Sequence, residues 1–202
     1  MRRWWLAAAV PALILALVGC GTVTTPNTTT GAQGTAASSK GSSLDPPFRV
    51  VTSLEVVTPD AKFDPSAASL SLYQNIPVYT ASGKVVHLDA RKQPILIEAY
   101  WCPHCQRTLL LFNKHSQAMK QRPILISTGF AQGTTLQQAV KLGEAEDAAL
   151  HLQNYQMYYY IAPNFATRLV PVGFPTLVFP WKGKVGALYG EHTWAAWQPA
   201  LG

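Results

Sequence analysis

The stretch EAYWCPHCQRTLLLF, residues 98–112, sets two cysteines three apart, behind a tryptophan and ahead of an apolar run. The residues leading into it, QPILIEAYW (93–101), form a short apolar run of the kind that makes a buried central strand. The residues that follow, PHCQRTLLLFNKHSQAMK (103–120), are long enough for a helix and carry apolar Leu109, Phe112 and Met119. A strand running into Cys102 and a helix starting at Pro103 place the first thiol at a helix N-terminus. There the unpaired backbone N–H groups and the helix dipole favour a thiolate over a thiol. Pro103 suits the first helical position because it has no N–H to leave unpaired. His104 can add positive charge or a hydrogen-bond donor near the sulfur. Cys105, one turn into the helix, is expected to be less exposed, placed to attack a mixed disulfide on Cys102. Stabilising the ionised, reduced form makes the corresponding disulfide a better oxidant.

Other uses of a C-x-x-C make demands that the chain meets less well. A structural zinc site needs four ligands; the one other cysteine is Cys20, and His87, His104, His115, His151 and His192 form no H-x₃₋₅-H pair. Haem attachment needs C-x-x-C-H, and Gln106 follows Cys105. A structural disulfide here would close a very small loop and constrain little chain entropy.

Outward from this centre the elements alternate. NIPVYTASGKVVHL (75–88) reads as a hairpin turning at Ala81-Ser82-Gly83, and RPILISTGF (122–130) as a second buried strand. TTLQQAVKLGEAEDAALHL (134–152) is helical in composition, with Gly143 as a possible break. YQMYYYIAP (155–163) is strand-like, and NFATRLV (164–170) is a short helix candidate with Asn164 as N-cap. GFPTLVFPWKGKVGALYG (173–190) reads as two strands joined at Lys182-Gly183-Lys184, and TWAAWQPAL (193–201) as a closing helix. FRVVTSLEVV (48–57) alternates weakly, as an early strand or as part of a tether. This order indicates an α/β layer fold with a mixed sheet.

The first residues differ in kind. MRRWW is a basic start, and LAAAVPALILALV (6–18) is an apolar core of signal-peptide length, short for a membrane span. It ends in LVGC, Leu17–Cys20, which resembles the lipobox of bacterial lipoproteins. That resemblance implies a signal peptide over 1–19 and lipidation of Cys20; an ordinary signal peptide or an uncleaved anchor are the alternatives. In each case the rest of the chain is expected outside the cytoplasm. Residues 21–47 are rich in Thr, Ser, Gly, Ala and Pro and have little to bury, so 20–47 reads as a lipidated start and a disordered tether spanning roughly 25–30 Å. The folded domain is then 48–202. It holds 13 Lys+Arg against 9 Asp+Glu, a net +4, with no basic run interleaved with aromatics, which argues against nucleic acid as a partner.

WCPHC after PILIEAY, opening a helix, resembles the active site of the thioredoxin superfamily. The second part of the match is VGFPTLVF, Val172–Phe179. Alone, Pro175 reads as an edge-strand or bulge proline; with the C-x-x-C, the resemblance implies a cis-proline beside the cysteines. The hairpin before the active-site strand, and the helix-strand segment 134–163 before the proline, are similar to the membrane-anchored extracytoplasmic TlpA/ResA type. The Pro-His dipeptide is instead what Dsb-type oxidases carry, so the direction of electron flow stays open.

The resemblance implies a thiol-disulfide oxidoreductase with Cys102 as nucleophile, Cys105 as resolving thiol, and Pro103 and His104 tuning the pair. Trp101, Phe174, Pro175 and Thr176 would shape the substrate groove. Protein thiols and disulfides, a membrane-bound electron donor or acceptor, and the membrane surface itself would be the partners. No bound cofactor or metal is required. Many family members place a buried acid six residues before the first cysteine. That position is Leu96 here, and Glu98 stands four before it. Glu98 is therefore either the proton relay on a shortened turn or an incidental acid. The competing class is a non-catalytic binding module or a copper chaperone, although copper-delivering relatives use a longer cysteine spacing and a distant histidine.

Overall fold

The computed structural model describes residues 47–162 and 168–202. The signal segment, Cys20, nearly all of the tether and Asn164 lie outside the described residues. Eight strands form one mixed sheet: β1 (Ser66–Ala67), β2 (Ile76–Tyr79), β3 (Val85–Leu88), β4 (Ile95–Ala99), β5 (Ile124–Thr128), β6 (Met157–Tyr159), β7 (Thr176–Trp181) and β8 (Lys184–Tyr189). Their order across the sheet is β1-β8-β7-β4-β5-β6-β2-β3. Helices among the described residues include α1 (Leu70–Tyr73), α2 (Pro103–Lys114), α3 (Leu136–Leu150) and α4 (Trp194–Leu201). This is the expected α/β class: a mixed sheet flanked by helices, an early hairpin, and a helix-strand insertion before the cis-proline.

β4 is central because it is apolar on both faces. It pairs parallel with β5 and antiparallel with β7, and all five of its residues are buried. Ile95 and Ile97 point into one core with Tyr73, Ile76, Ile124, Ile126 and Val178. Leu96 points the other way, into a core with Leu109 and Phe112 of α2, Leu150 of α3, and Trp197 and Leu201 of α4. Strand alternation therefore aims Glu98 at the side of the sheet that α2 and α3 cover.

Gly143 does not break α3. The helix runs through it, and a Cβ there would lie 2.6 Å from Met157 Sδ and 2.9 Å from the Tyr159 hydroxyl. The glycine lets α3 approach β6, and that packing outweighs its weak helix propensity. Residues 48–57 form no strand; backbone in this segment is instead bonded to side chains of α2. The short elements β1 and α1 carry no periodicity that the sequence could announce. Among the described residues no helix is long and apolar enough to cross a membrane.

Candidate active site

A tight turn, closed by Cys102 N–H donating to Ala99 O at 2.9 Å, joins β4 to α2. Cys102 is the N-cap of α2 and Pro103 opens the helix. The Cys102 sulfur accepts from the Cys105 amide at 3.3 Å, the bond a capping side chain makes to a third-position N–H. Both thiols are free. Cys102 is pulled down to about 7, first by the hydrogen bond from the Cys105 thiol, then by the Cys105 amide and the charge of His104, against the opposing effect of burial. Cys105 is wholly buried; burial, its bond to Cys102 and the nearby Glu98 push its thiol well up. The two thiols differ in the direction of their shifts, Cys102 down and Cys105 up. In exposure they differ only slightly, because Cys102 is itself only 4% exposed.

A cleft of about 300 Å³ beside Cys102 is lined by Leu54, Glu55, Trp101, Pro103, His104 and Phe174. Trp101 is half exposed, donates to Gly129 O at 2.8 Å and meets Phe174 edge-on with centroids 5.8 Å apart. Gly129 has φ +78, and a Cβ there would stand 2.9 Å from Ala99 Cβ and 3.0 Å from Trp101 Nε1, so only glycine fits under the indole. Phe174 packs against the cluster of Ala99, Cys102 and Cys105. The Phe174–Pro175 bond is cis. Thr176 is buried, pairs with Ile97 of β4 and donates its hydroxyl to Gly173 O at 2.7 Å. The structure thus gathers Trp101, Cys102, Pro103, His104 and Phe174 around one opening, while Pro175 and Thr176 follow Phe174 in the chain and do not line it.

Three residues that the sequence did not single out organise the rim. Gln106 is buried; its Oε1 accepts Val51 N–H, and its Nε2 donates to Arg49 O and Tyr100 O. Arg107 donates to the carbonyls of Thr52, Leu54 and Glu55, and to Glu191 at 2.8–3.0 Å. Together Gln106 and Arg107 strap residues 49–55 across the start of α2. His104 Nδ1 lies 3.1 Å from Glu191 Oε2 and 2.9 Å from Arg107 Nη2. With a proton on Nδ1 it donates to Glu191; without one it accepts from Arg107. Either charge state of His104 is therefore satisfied in place.

Glu98 is fully buried, and among the described residues neither of its oxygens has a partner at hydrogen-bond distance. Burial, then the charge of Glu146, push its carboxyl well up, and the Ser127 hydroxyl in register on β5 offsets this only in part. Glu146, buried within α3, is raised to about 8 by burial and by the Cys102 charge. A glutamate on the stripe Ala139, Leu142, Glu146, Leu150 was the one sequence signal for it. Among the described residues, Cys102 and Cys105 join no cluster of three His, Cys, Asp or Glu ligand atoms close enough to hold a metal.

No family model and no curated protein matches this chain. Solved structures do. MTB DsbF, in mixed oxidized and reduced forms, is similar with a TM-score of 0.47 at 14% identity, over 63% of this chain and 92% of that one. A secreted Mycobacterium tuberculosis disulfide oxidoreductase homologous to E. coli DsbE gives a TM-score of 0.43 at 15% identity, over 59% and 87%. StoA from Bacillus subtilis gives 0.36 at 18%, over 65% and 93%.

Proposed function

We propose that this chain is a thiol-disulfide oxidoreductase acting on protein thiols and disulfides outside the cytoplasm, held at the membrane by a lipid on Cys20. One observation carries the reading: Cys102 caps a helix with its sulfur on the Cys105 amide, while Cys105 lies buried behind it. A thiol brought to about 7 is roughly half thiolate at neutral pH, against a few per cent for a free cysteine.

In the reducing direction the Cys102 thiolate attacks a substrate disulfide. That S–S bond breaks, one substrate sulfur leaves as thiolate, and the other stays bonded to Cys102. Cys105 then loses its proton and attacks the Cys102 sulfur. The mixed disulfide breaks, the Cys102–Cys105 bond forms, and the second substrate thiolate leaves. Oxidation of a substrate is the same path reversed, and the potential of the pair against a membrane-bound partner sets the direction. Pro103 and His104 tune the Cys102 thiolate. Trp101 and Phe174 form the apolar lip, with Pro175 and Thr176 holding Phe174 in place. Glu98 is the nearby base for the Cys105 proton.

Trapping tests this division. Cys105→Ser is expected to accumulate mixed disulfides with client proteins, and Cys102→Ser to accumulate none. Equal trapping by both variants contradicts it. Cys20→Ser is expected to release the domain from membranes or leave an unprocessed precursor; unchanged fractionation and migration would remove the lipid.

A further inference from the structure

Beneath the cysteine pair, six buried polar atoms lack a hydrogen-bond partner among the described residues: both carboxyl oxygens of Glu98, both of Glu146, Thr108 Oγ1 and Ser127 Oγ. Native proteins leave few such groups, and a cluster of them needs a cause. These come from four elements that share one side of the sheet. Glu98 of β4 is in register with Ser127 of β5, and Ser127 with Tyr159 of β6, so the three form one row across the strands. Tyr159 meets α3 at Gly143, and Glu146 stands on the same buried stripe of α3 less than one turn further on. Thr108 lies one turn after Cys105 on the buried face of α2.

Two carboxyl groups in one buried compartment do not both ionise readily at neutral pH, so they hold at least one proton between them. With Glu98 as the base for the Cys105 proton, we infer that Glu146 is the positioning residue that sets when Glu98 can accept it. This rests on the dithiol-disulfide reading above. The step balances. The Cys105 S–H bond breaks and its proton goes to a Glu98 oxygen. The sulfur's electron pair forms the bond to Cys102, and the bond from Cys102 to the substrate breaks with its electrons on the substrate sulfur. When the pair is reduced again, the proton returns. Electrostatics agree with the placement: Glu98 feels Glu146 and Cys102, and Cys105 feels Glu98. The other titratable groups acting on this compartment are the Tyr159 hydroxyl, held up to about 12, and Glu144 and Asp147 on α3.

The test uses the reduced full chain and 5,5′-dithiobis(2-nitrobenzoate), followed by stopped flow across pH. Cys102 releases one coloured thiolate as it attacks, and Cys105 releases a second as it closes the bridge. Glu98→Gln is expected to slow the second release about tenfold at neutral pH, to remove its lower pH inflection, and to leave the first release within about twofold. Glu146→Gln is expected to move that inflection to lower pH, because Glu98 no longer faces a second carboxylate, and Glu146→Asp to restore it. A Glu146→Gln profile that overlays the wild type, or is scaled equally at every pH, overturns the pair while leaving the redox reading intact. A wild type that stops after the first release overturns both.

Discussion

The two sides of the cysteine pair handle charge in opposite ways. On the rim, Arg107, Glu191 and His104 bond one another and Arg107 also takes three backbone carbonyls, although their side chains keep 17%, 8% and 23% of their exposure. On the floor, Glu98 and Glu146 are fully buried, and among the described residues their carboxyl oxygens have no hydrogen-bond partner. The rim groups are held by one another and by backbone carbonyls, close to Cys102. The floor carboxyls are pushed up by burial and so keep at least one proton between them at neutral pH. The proposed disulfide exchange would use both, since one thiol must ionise early and the other late.

The comparison breaks most decisively at the sulfurs. Cys102→Ser is expected to abolish disulfide exchange in an insulin or glutathione assay, and Cys105→Ser to stop it after the first covalent step. The floor is tested next by pH. In the unfolded chain Glu146 releases its proton near 4.5, and in the folded chain near 8. Between these values the folded state binds more protons, so this contribution is fully present below 4.5 and is lost as pH rises through 8. Urea unfolding is expected to show stability falling by on the order of 2–4 kcal/mol across that window, and Glu98→Gln with Glu146→Gln to flatten the slope.

The rim gives smaller effects. Arg107→Ala leaves Glu191 buried without its cation and frees the strap. An expected loss of about 1–3 kcal/mol in urea unfolding, with faster proteolysis within residues 49–55, measures it. His104→Ala is expected to raise the Cys102 titration by less than about one pH unit, because the Cys105 hydrogen bonds outrank the imidazole. The pair should become roughly 10–30 mV more reducing, read by glutathione equilibrium.

How far the sequence speaks follows the range of the forces involved. β4 and α2 are local: an apolar run, then a proline and a helical pattern around Cys102, give strand, turn and cap from adjacent residues. The hairpins 75–88 and 173–190 are equally local, carried by their turn residues. Gly143 misleads because a propensity argument sees a weak helix former, where the structure sees Met157 and Tyr159 pressing on it. The strap was hidden because Gln106 and Arg107 reach backbone more than 50 residues away, and no periodicity encodes that reach. Glu146 sits amid helix-favouring residues, and its burial is decided by the face of α3 that β6 selects. Glu98 could not be assigned from alternation alone; the packing of Leu96 against α2 settles which way that face looks.

The most direct test of the account is the redox equilibrium of Cys102 and Cys105 against a glutathione buffer. The account predicts one reversible two-electron transition between about −270 mV and about −120 mV, the values of a reducing thioredoxin and a strongly oxidising Dsb-type protein. A pair that forms no bridge, or a bridge that stays closed across that whole range, would contradict it.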